Sequence, residues 1–511
     1  MEKLGKYLFW ALFALLLVGL YLYGIHYLPL RGEEANRILT AYEMVHFGDW
    51  FNLTHLGEPY YAKPPLFMWL VALFSSLFGW DQESARLISV LSSFATALLV
   101  YIFALRLFGE RKIALLAAFI LLTLGDLPLF YGFLAEIDAF HMFIYFLSGV
   151  GVFLLLRRGE ELLAFLFAGF TTALVFLTKG MPAFYHVPLT VLIFLFYFNR
   201  WRSLLSLKPL AGIASMLLPL GFWFIHLKNP KAYLLQLWFE SFHRTPMGEG
   251  HIKRVLLHLV TYPLLNFRQM LPHSLYTFLN LERFKGLLSS PLRKEILLLL
   301  AIIGLNYLPY LISPGARGRY IMVVFPFVAV LFAVLLKEFL PRKVSRFKGA
   351  LWVFLFLLFT LGVGFALYHR GFFDFYGWFP LVVFGAVLIT SLVLLPKFNP
   401  SLAVFTLLLL AVFKWGYIDY FAPWREAHHP ERRIAYELSK AFPRGAVIRY
   451  LPQRVNMELC AYTDLFTRGI VLRNKGSYFL TTERELPKGV DYQILATYGG
   501  WVAGVFLKGE K

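Results

Sequence analysis

The 511-residue sequence contains one cysteine, Cys460, so an intramolecular disulfide is impossible. No grouping of Cys and His has the spacing of a structural zinc site either. Charge is scarce as well: Asp, Glu, Lys and Arg make up 15% of the chain, against roughly 25% in soluble domains. Acids are the minority of that small set, 30 against 49 Lys plus Arg, giving a formal net charge of +19. Apolar residues fill the space instead, at 59% with a mean hydropathy of +0.64, where soluble domains run at roughly 45 to 50%. A water-soluble fold has too little interior to hide so much apolar surface. The lipid bilayer is therefore the expected solvent, and a soluble enzyme, a disordered tail and a fibre are excluded. Nor is nucleic acid an expected partner. The cations lie in short clusters between apolar runs, as the positive-inside rule requires of a membrane protein.

The first apolar run, about 7 to 25, approaches the roughly 20 residues that cross a hydrocarbon core. No small-residue cleavage site follows it, so it reads as an anchor. Further spans are expected near 84–106, 112–130, 139–156, 162–178, 181–198, 209–226, 255–279, 295–311, 319–339, 347–368, 377–396 and 401–418, about thirteen in all. Arg106/Arg111/Lys112, Arg157/Arg158, Arg200/Arg202/Lys208, Arg283/Lys285/Arg293/Lys294 and Lys337/Arg342/Lys343/Arg346/Lys348 fall in alternate connections, which places those loops in the cytoplasm. Counting 65–80 as a span would put the first and last clusters on opposite sides, so that stretch is expected to be an interfacial helix. The N-terminus is then cytoplasmic. The segments 28–80, 131–139 and 227–254 and the C-terminus share the outer side. From about 420 the composition turns more charged, and alternating apolar runs at 446–451, 468–473, 477–481, 492–497 and 501–507 predict strands. The expected organisation is a membrane domain over 1–419 and a small soluble α/β domain over 420–511.

The outer connections carry charge where a membrane protein can least accommodate it. Glu33 and Glu34 follow the first span directly; such a pair is costly if buried and useful if it faces a polar cavity, while a solvated helix N-terminus with acids complementing the dipole is the simpler explanation. Lys63 precedes Pro64 and Pro65, which hold the backbone out of helix and fix the ammonium near a rigid turn. Asp138 opens the next span, where a helix N-cap is the simpler explanation. Lys179, in Leu177-Thr178-Lys179-Gly180, sets a cation on the outer face against the positive-inside tendency. Glu240, His243, Arg244, Glu249 and His251 lie in the loop 227–254, and Arg317 and Arg319-Tyr320 precede a late span. Several arginine forks on one face would make an anion site.

Taken in order, the acidic pair, Gly48-Asp49-Trp50, Gly57-Glu58-Pro59-Tyr60, Lys63-Pro64-Pro65-Leu66, Ser84-Ala85-Arg86-Leu87, Arg106 to Gly109, the Asp138 loop, Leu-Thr-Lys-Gly and Arg319-Tyr320 resemble the GT-C membrane glycosyltransferases. The likeness covers about the first 340 residues. It is closest to the branch related to protein O-mannosyltransferases that contains the lipid A 4-amino-4-deoxy-L-arabinose transferases. The resemblance implies a polytopic α-helical GT-C fold of about 13 transmembrane helices with a small C-terminal α/β periplasmic domain. It also implies residence in the bacterial inner membrane. The implied activity moves a sugar from a polyprenyl phosphate carrier to lipid A or another envelope lipid on the periplasmic face. By the same resemblance Glu33 stands where the family usually has its functional Asp, with Glu34 beside it, and Asp138 matches the acid of the second outer loop. Lys63 and Tyr60, with Arg319 and Tyr320, match groups around the carrier phosphate, and Arg244 is a further match in the outer loop. Two positions depart from the pattern. Asn36 replaces an Arg, with Arg37 next to it, and Ala62 replaces a Glu associated with a bound metal. No cofactor is therefore assigned, and the residues give little support for a divalent metal.

The chemistry sets its own demands. A polyprenyl phosphate leaves as an anion and needs fixed cations in a site shielded from water, for which Lys63, Arg319 and Arg244 are candidates. Glu33 is the first candidate to deprotonate an attacking hydroxyl. If the acceptor is an already ionised phosphate, Glu33 or Asp138 would orient groups instead. Direct displacement would invert the anomeric centre. Two alternatives remain: an enzyme like the protein O-mannosyltransferases that glycosylates Ser or Thr, and a lipid or sugar transporter. Transporters often have internal repeats and helices broken at mid-membrane, whereas the charges of this sequence gather on one face.

Overall fold

A computed structural model describes residues 2–242, 251–338 and 401–507. With no water to satisfy backbone groups inside a bilayer, apolar runs become helices, and helices dominate. The first part of the chain forms α1 (Glu2–Leu22), α2 (Gly32–Phe47), α3 (Leu66–Phe78), α4 (Gln82–Phe108), α5 (Arg111–Leu122), α6 (Ile137–Arg158), α7 (Glu161–Lys179), α8 (Ala183–Tyr197) and α9 (Lys208–Ile225). Then come α10 (Pro230–Phe242), α11 (His251–Gln269), α12 (His273–Phe278), α13 (Glu282–Leu288), α14 (Arg293–Leu311), α15 (Phe325–Leu336) and α16 (Leu402–Gly416). Among the described residues seven helical segments are long and apolar enough to cross a membrane: 82–108, 137–158, 161–179, 208–225, 293–311, 318–336 and 402–428. Two of the expected spans, 347–368 and 377–396, lie outside the described residues.

Local chemistry sets the boundaries. Asp81 caps α4 by accepting the Ser84 N–H at 2.8 Å, and Gly109 ends that helix in the left-handed region at φ 72°, where a Cβ would be strained. Within α4, Ser92, Ser93 and Thr96 return their hydroxyls to carbonyls one turn back, so polar side chains are satisfied inside the bundle. Helices α7 and α9 cross at Gly169 and Gly212, so closely that a Cβ on Gly169 would sit 1.8 Å from the Gly212 carbonyl oxygen. Small residues at a crossing let membrane helices approach backbone to backbone. Helix α3 has 13 residues, about 20 Å of rise, which is short of a roughly 30 Å hydrocarbon core, in keeping with an interfacial position.

Two expected spans are interrupted. The 112–130 stretch is helical only to Leu122, then turns through a π-helical segment at Leu127–Tyr131 containing Pro128. The 255–279 stretch breaks into α11 and α12 around Met270–Pro272, and α11 is not among the helices apolar enough to span. It carries Arg254, His258 and Arg268, and its leucines are largely exposed. Apolar content alone had suggested continuity; proline and a polar face decide otherwise.

Described members of the cation clusters lie at one end of the bundle. Arg157 donates to the Arg106 carbonyl, Arg200 and Lys208 both pair with Glu161, and Lys337 and Lys112 reach Glu110 and Glu338. Lys294 lies 4.5 Å from the Tyr197 ring centroid, which brings the 293–294 cluster to the same end. The opposite end holds α2, α3, the 131–137 connection and the C-terminal part of the chain.

That C-terminal part comprises α17 (Ala422–His428), α18 (Glu431–Ser439), α19 (Met457–Thr467) and a five-stranded sheet. Its strands are β3 (Val447–Tyr450), β4 (Ile470–Leu472), β5 (Tyr478–Thr482), β6 (Tyr492–Tyr498) and β7 (Trp501–Phe506), in spatial order β4-β3-β5-β7-β6. β3 is parallel to β4 and β5, while β7 is antiparallel to β5 and β6. All five lie at the predicted apolar runs. The parallel β3–β4 pair requires a crossover, supplied by α19, and α19 packs on α2. Tyr462 of α19 accepts the Leu30 N–H at 2.7 Å and donates to Gln82 Oε1 at 3.2 Å. A small hairpin, β1 (Thr54–His55) and β2 (Glu58–Pro59), is held by the Arg473 N–H on the Leu56 carbonyl at 2.9 Å. This hairpin leads directly into Tyr60 and Lys63.

Candidate active site

The acidic pair at the start of α2 is split by helix geometry. Adjacent helical residues point about 100° apart, so Glu33 and Glu34 face different surroundings. Glu34 is fully buried and does not line the cleft. Its Oε1 accepts from Arg86 Nε at 2.8 Å and from the Ala135 N–H at 2.8 Å, and its Oε2 accepts from Arg86 Nη2 at 2.9 Å and the Arg31 N–H at 3.1 Å. Arg86 spends its remaining Nη1 donors on the carbonyls of Ile25 and Leu28, at 2.7 Å each. The Glu34 carboxylate thus ties α2, α4 and the second outer connection together. Nothing in this arrangement leaves it open to a substrate.

Glu33 faces a cleft of about 360 Å³. Arg37 lies one turn on and donates to Glu33 Oε2 at 2.9 Å and to the Tyr60 hydroxyl at 2.8 Å. Arg317 and Arg319 approach Glu33 Oε1 at 3.3 and 3.2 Å. Burial by itself would raise the Glu33 carboxyl, but Arg37, Arg319, Lys63 and Arg317 outweigh it and hold the group below the usual carboxylate range. Glu33 is therefore ionised at neutral pH.

Behind it lies a second layer of paired charge. Asp138 is not an N-cap: Glu136 occupies the cap position of α6, without a side-chain cap bond. Asp138 Oδ1 instead accepts from Lys179, the last residue of α7, at 2.5 Å, and its Oδ2 lies 3.6 Å from Arg319 Nε. Arg319 also pairs closely with Glu136, so one guanidinium bridges Glu33, Glu136 and Asp138. Burial raises the Glu136 carboxyl above the usual carboxylate range; Arg319 opposes the shift and Asp138 adds to it. Lys179 Nζ stands 5.0 Å from the Tyr320 ring centroid, within cation–π range. At the rim, Lys63 Nζ donates to the Ala62 carbonyl at 2.9 Å and lies 3.9 Å from Glu240 Oε2, while Tyr233 pins the Lys63 carbonyl at 2.6 Å.

Of the residues named from sequence, Glu33, Asp138, Lys63, Tyr60, Arg319 and Tyr320 share this cleft, although they come from four separate stretches of chain. Glu34 stands apart from it, and Arg244 lies outside the described residues. Lys179 and Arg317, read from the sequence as outer-face cations, line the cleft too, and so do Arg37, Glu136 and Tyr310, to which the sequence reading gives no role. Arg37 was recoverable, since an acid and an arginine four apart share a helix face; Tyr310 carried no signal. Ala62 is also on the wall. Among the described residues no group of three or more His, Cys, Asp or Glu side chains is arranged to hold a metal ion. The cleft's acids are engaged by arginine and lysine instead.

A helical membrane bundle with a small α/β unit at one end, and a cleft of paired charge at that same end, has the GT-C architecture. Comparison with known proteins agrees with it. The family described as dolichyl-phosphate-mannose-protein mannosyltransferase matches residues 62–225. The undecaprenyl phosphate-alpha-4-amino-4-deoxy-L-arabinose arabinosyl transferase of Aeromonas hydrophila is 30% identical over 362 residues, 67% of this chain and 63% of that one. The protein of the same name from Pseudomonas aeruginosa is 28% identical over 216 residues, covering 42% and 39%. The matches thus span less than two thirds of these relatives' own lengths. The crystal structure of ArnT from Cupriavidus metallidurans bound to undecaprenyl phosphate superimposes with a TM-score of 0.70, covering 97% of both chains at 17% identity. The fold is therefore the polytopic helical one with a C-terminal α/β unit that the resemblance implies, with seven of the about thirteen expected spans long and apolar enough among the described residues, and the resemblance to the aminoarabinose transferase branch holds in sequence.

Proposed function

We propose that this protein is an inverting glycosyltransferase that moves a sugar from a polyprenyl phosphate to lipid A, or another envelope lipid, at the outer face of the bacterial inner membrane. The observation that carries this reading is Glu33, an ionised carboxylate about one-third exposed in the cleft and held there by three arginines, with Lys63 on the same wall. Lys63 and Arg319 would receive the leaving phosphate, where fixed cations in a poorly solvated site are worth far more than in water. Tyr60 would hold its place beside them through Arg37. Glu33 would take the proton of an attacking hydroxyl, or orient an acceptor that is already ionised. Asp138, clamped by Lys179 and Arg319, would hold the deeper wall of the sugar pocket. The cation-rich end of the bundle would face the cytoplasm, leaving the cleft and the soluble domain, 420–511, in the periplasm.

The names of the relatives support an aminoarabinose donor, and the paired acids and cations of the cleft suit a polar sugar. Expression with a Gram-negative lipid A acceptor, followed by mass spectrometry of lipid A, tests the reading. Glu33→Gln and Lys63→Ala are each expected to abolish the mass addition while the folded protein is retained. Unchanged lipid A accompanied by glycosylated envelope proteins would instead favour a protein O-mannosyltransferase-like activity.

A further inference from the structure

Tyr310 lines the cleft, yet the mechanism above gives it no role. It sits at the end of α14, immediately after Pro309, and it is the outer member of a hydrogen-bonded chain that runs into the bundle. A proline in a helix removes the N–H that would serve the carbonyl four residues back. That carbonyl belongs to Leu305, and it is taken up by the Tyr185 hydroxyl of α8 at 2.7 Å. The next residue of α8, His186, is 2% exposed and bridges two groups of α14. Its Nδ1 lies 2.7 Å from Asn306 Oδ1 and its Nε2 lies 2.7 Å from the Tyr310 hydroxyl.

The direction of every bond in this chain is fixed from its inner end. The Ile302 carbonyl can only accept, and the Asn306 amide nitrogen donates to it at 2.9 Å. Asn306 Oδ1 must then be an acceptor, so His186 Nδ1 carries the hydrogen. Among the described residues no carboxylate touches His186, and an imidazolium buried without a partner is costly, so the ring is neutral and its Nε2 is an acceptor. The Tyr310 hydroxyl therefore donates to His186, its only hydrogen-bond partner among the described residues. A phenol whose single hydrogen is committed inward offers only lone pairs outward.

We infer that Tyr310 is a sugar-reading residue: its phenolic oxygen accepts a hydrogen bond from an amine or hydroxyl of the transferred sugar, and the His186–Asn306 pair holds it in that role. The inference rests on the glycosyltransferase reading. Tyr310 is half-buried at the cleft wall, and an acceptor that a bound substrate closes off from water discriminates strongly, because a ligand lacking the matching N–H or O–H leaves it unpaired.

The test is binding of two probes to the full chain in lipid nanodiscs: bare undecaprenyl phosphate and undecaprenyl phosphate-α-4-amino-4-deoxy-L-arabinose. The unaltered protein is expected to bind the glycosylated probe about tenfold or more tighter than the bare one. Tyr310→Phe keeps the ring and is expected to bind the bare carrier as before while losing most of that preference. His186→Leu should lose it too, and adding Tyr310→Phe to His186→Leu should cost nothing more, since both act through one oxygen. His186→Gln, whose amide oxygen can accept the phenol hydrogen, should restore part of the preference. An unchanged preference in Tyr310→Phe would overturn the inference. So would equal loss for both probes, which would make Tyr310 a structural or phosphate-binding group, and so would an unaltered protein with no preference for the sugar. Failure of the unaltered protein to bind either probe would bring down the glycosyltransferase reading itself and this inference with it.

Discussion

Glu33 shows how one side chain's chemistry is set by its neighbours. Four cations lower its carboxyl against a burial effect that acts the other way. A carboxyl whose folded pKa is depressed contributes stability that is present above its unfolded value, roughly 4.3, and is lost as pH falls through the lower folded value. Glu33 should consequently stay ionised across pH 6 to 8, and the acid limb of a transfer-rate profile that it controls should lie below roughly pH 4.3. Replacing Arg37 with Gln removes the cation that contributes most to the lowering, so that limb should move to higher pH in an initial-rate profile measured in nanodiscs. An unmoved limb would show that Arg37 does not tune the group. Arg37 is itself buried, with its Nε unpartnered among the described residues, so a thermal melt of the variant should accompany the profile.

At the level of elements, the ion pair between Glu34 and Arg86 joins the start of α2 to α4, and both side chains are fully buried. Removing one partner of such a pair strands a charge and costs about 3–5 kcal/mol, whereas replacing both with apolar groups of similar size is often close to neutral. Arg86→Met and Glu34→Leu should therefore each lower the melting temperature in detergent substantially, and the double variant should lose less than the sum of the two, though the Ala135 N–H and the Ile25 and Leu28 carbonyls stay unpaired in it. Additive losses would mean that the pair does not act as a unit. The crossing of α7 and α9 offers a second test. A methyl group at Gly169 meets the backbone oxygen of Gly212, so Gly169→Ala must push the helices apart. It should destabilise the protein more than Gly304→Ala, where a Cβ meets nothing within 4 Å.

At the level of the whole molecule, the C-terminal sheet and α19 hold the entrance of the site in place. Tyr462 satisfies the Leu30 N–H just before α2, and Arg473 holds the hairpin that carries the chain to Tyr60 and Lys63. Tyr462→Phe leaves a buried N–H unpaired and is expected to cost about 1–3 kcal/mol, read as a lower melting temperature. The orientation proposed above can be tested with single cysteines. Cys460 is fully buried and gives no background, so Arg484→Cys should react with a membrane-impermeant maleimide in intact spheroplasts, and Arg202→Cys should react only after lysis. The reverse pattern would invert the topology.

Composition settled the solvent: 59% apolar residues with 15% charged leave no soluble alternative. Periodicity placed the C-terminal strands, because a period of two is a local property of a half-buried strand. The charged motifs of the outer loops were also legible, since charge beside a span stands out against an apolar background. Their division of labour was not. Whether Glu33 or Glu34 meets the cleft depends on which face of α2 packs against Arg86, 52 residues away. The role of Asp138 depends on Lys179 and Arg319, which belong to other helices. The direction of the Tyr310 hydroxyl follows from an amide and an imidazole on two helices that only the packed bundle brings together. Sequence determined which residues are costly to bury; tertiary structure decided which of them are paired away and which line the cleft, because partners for buried charge come from anywhere in the chain.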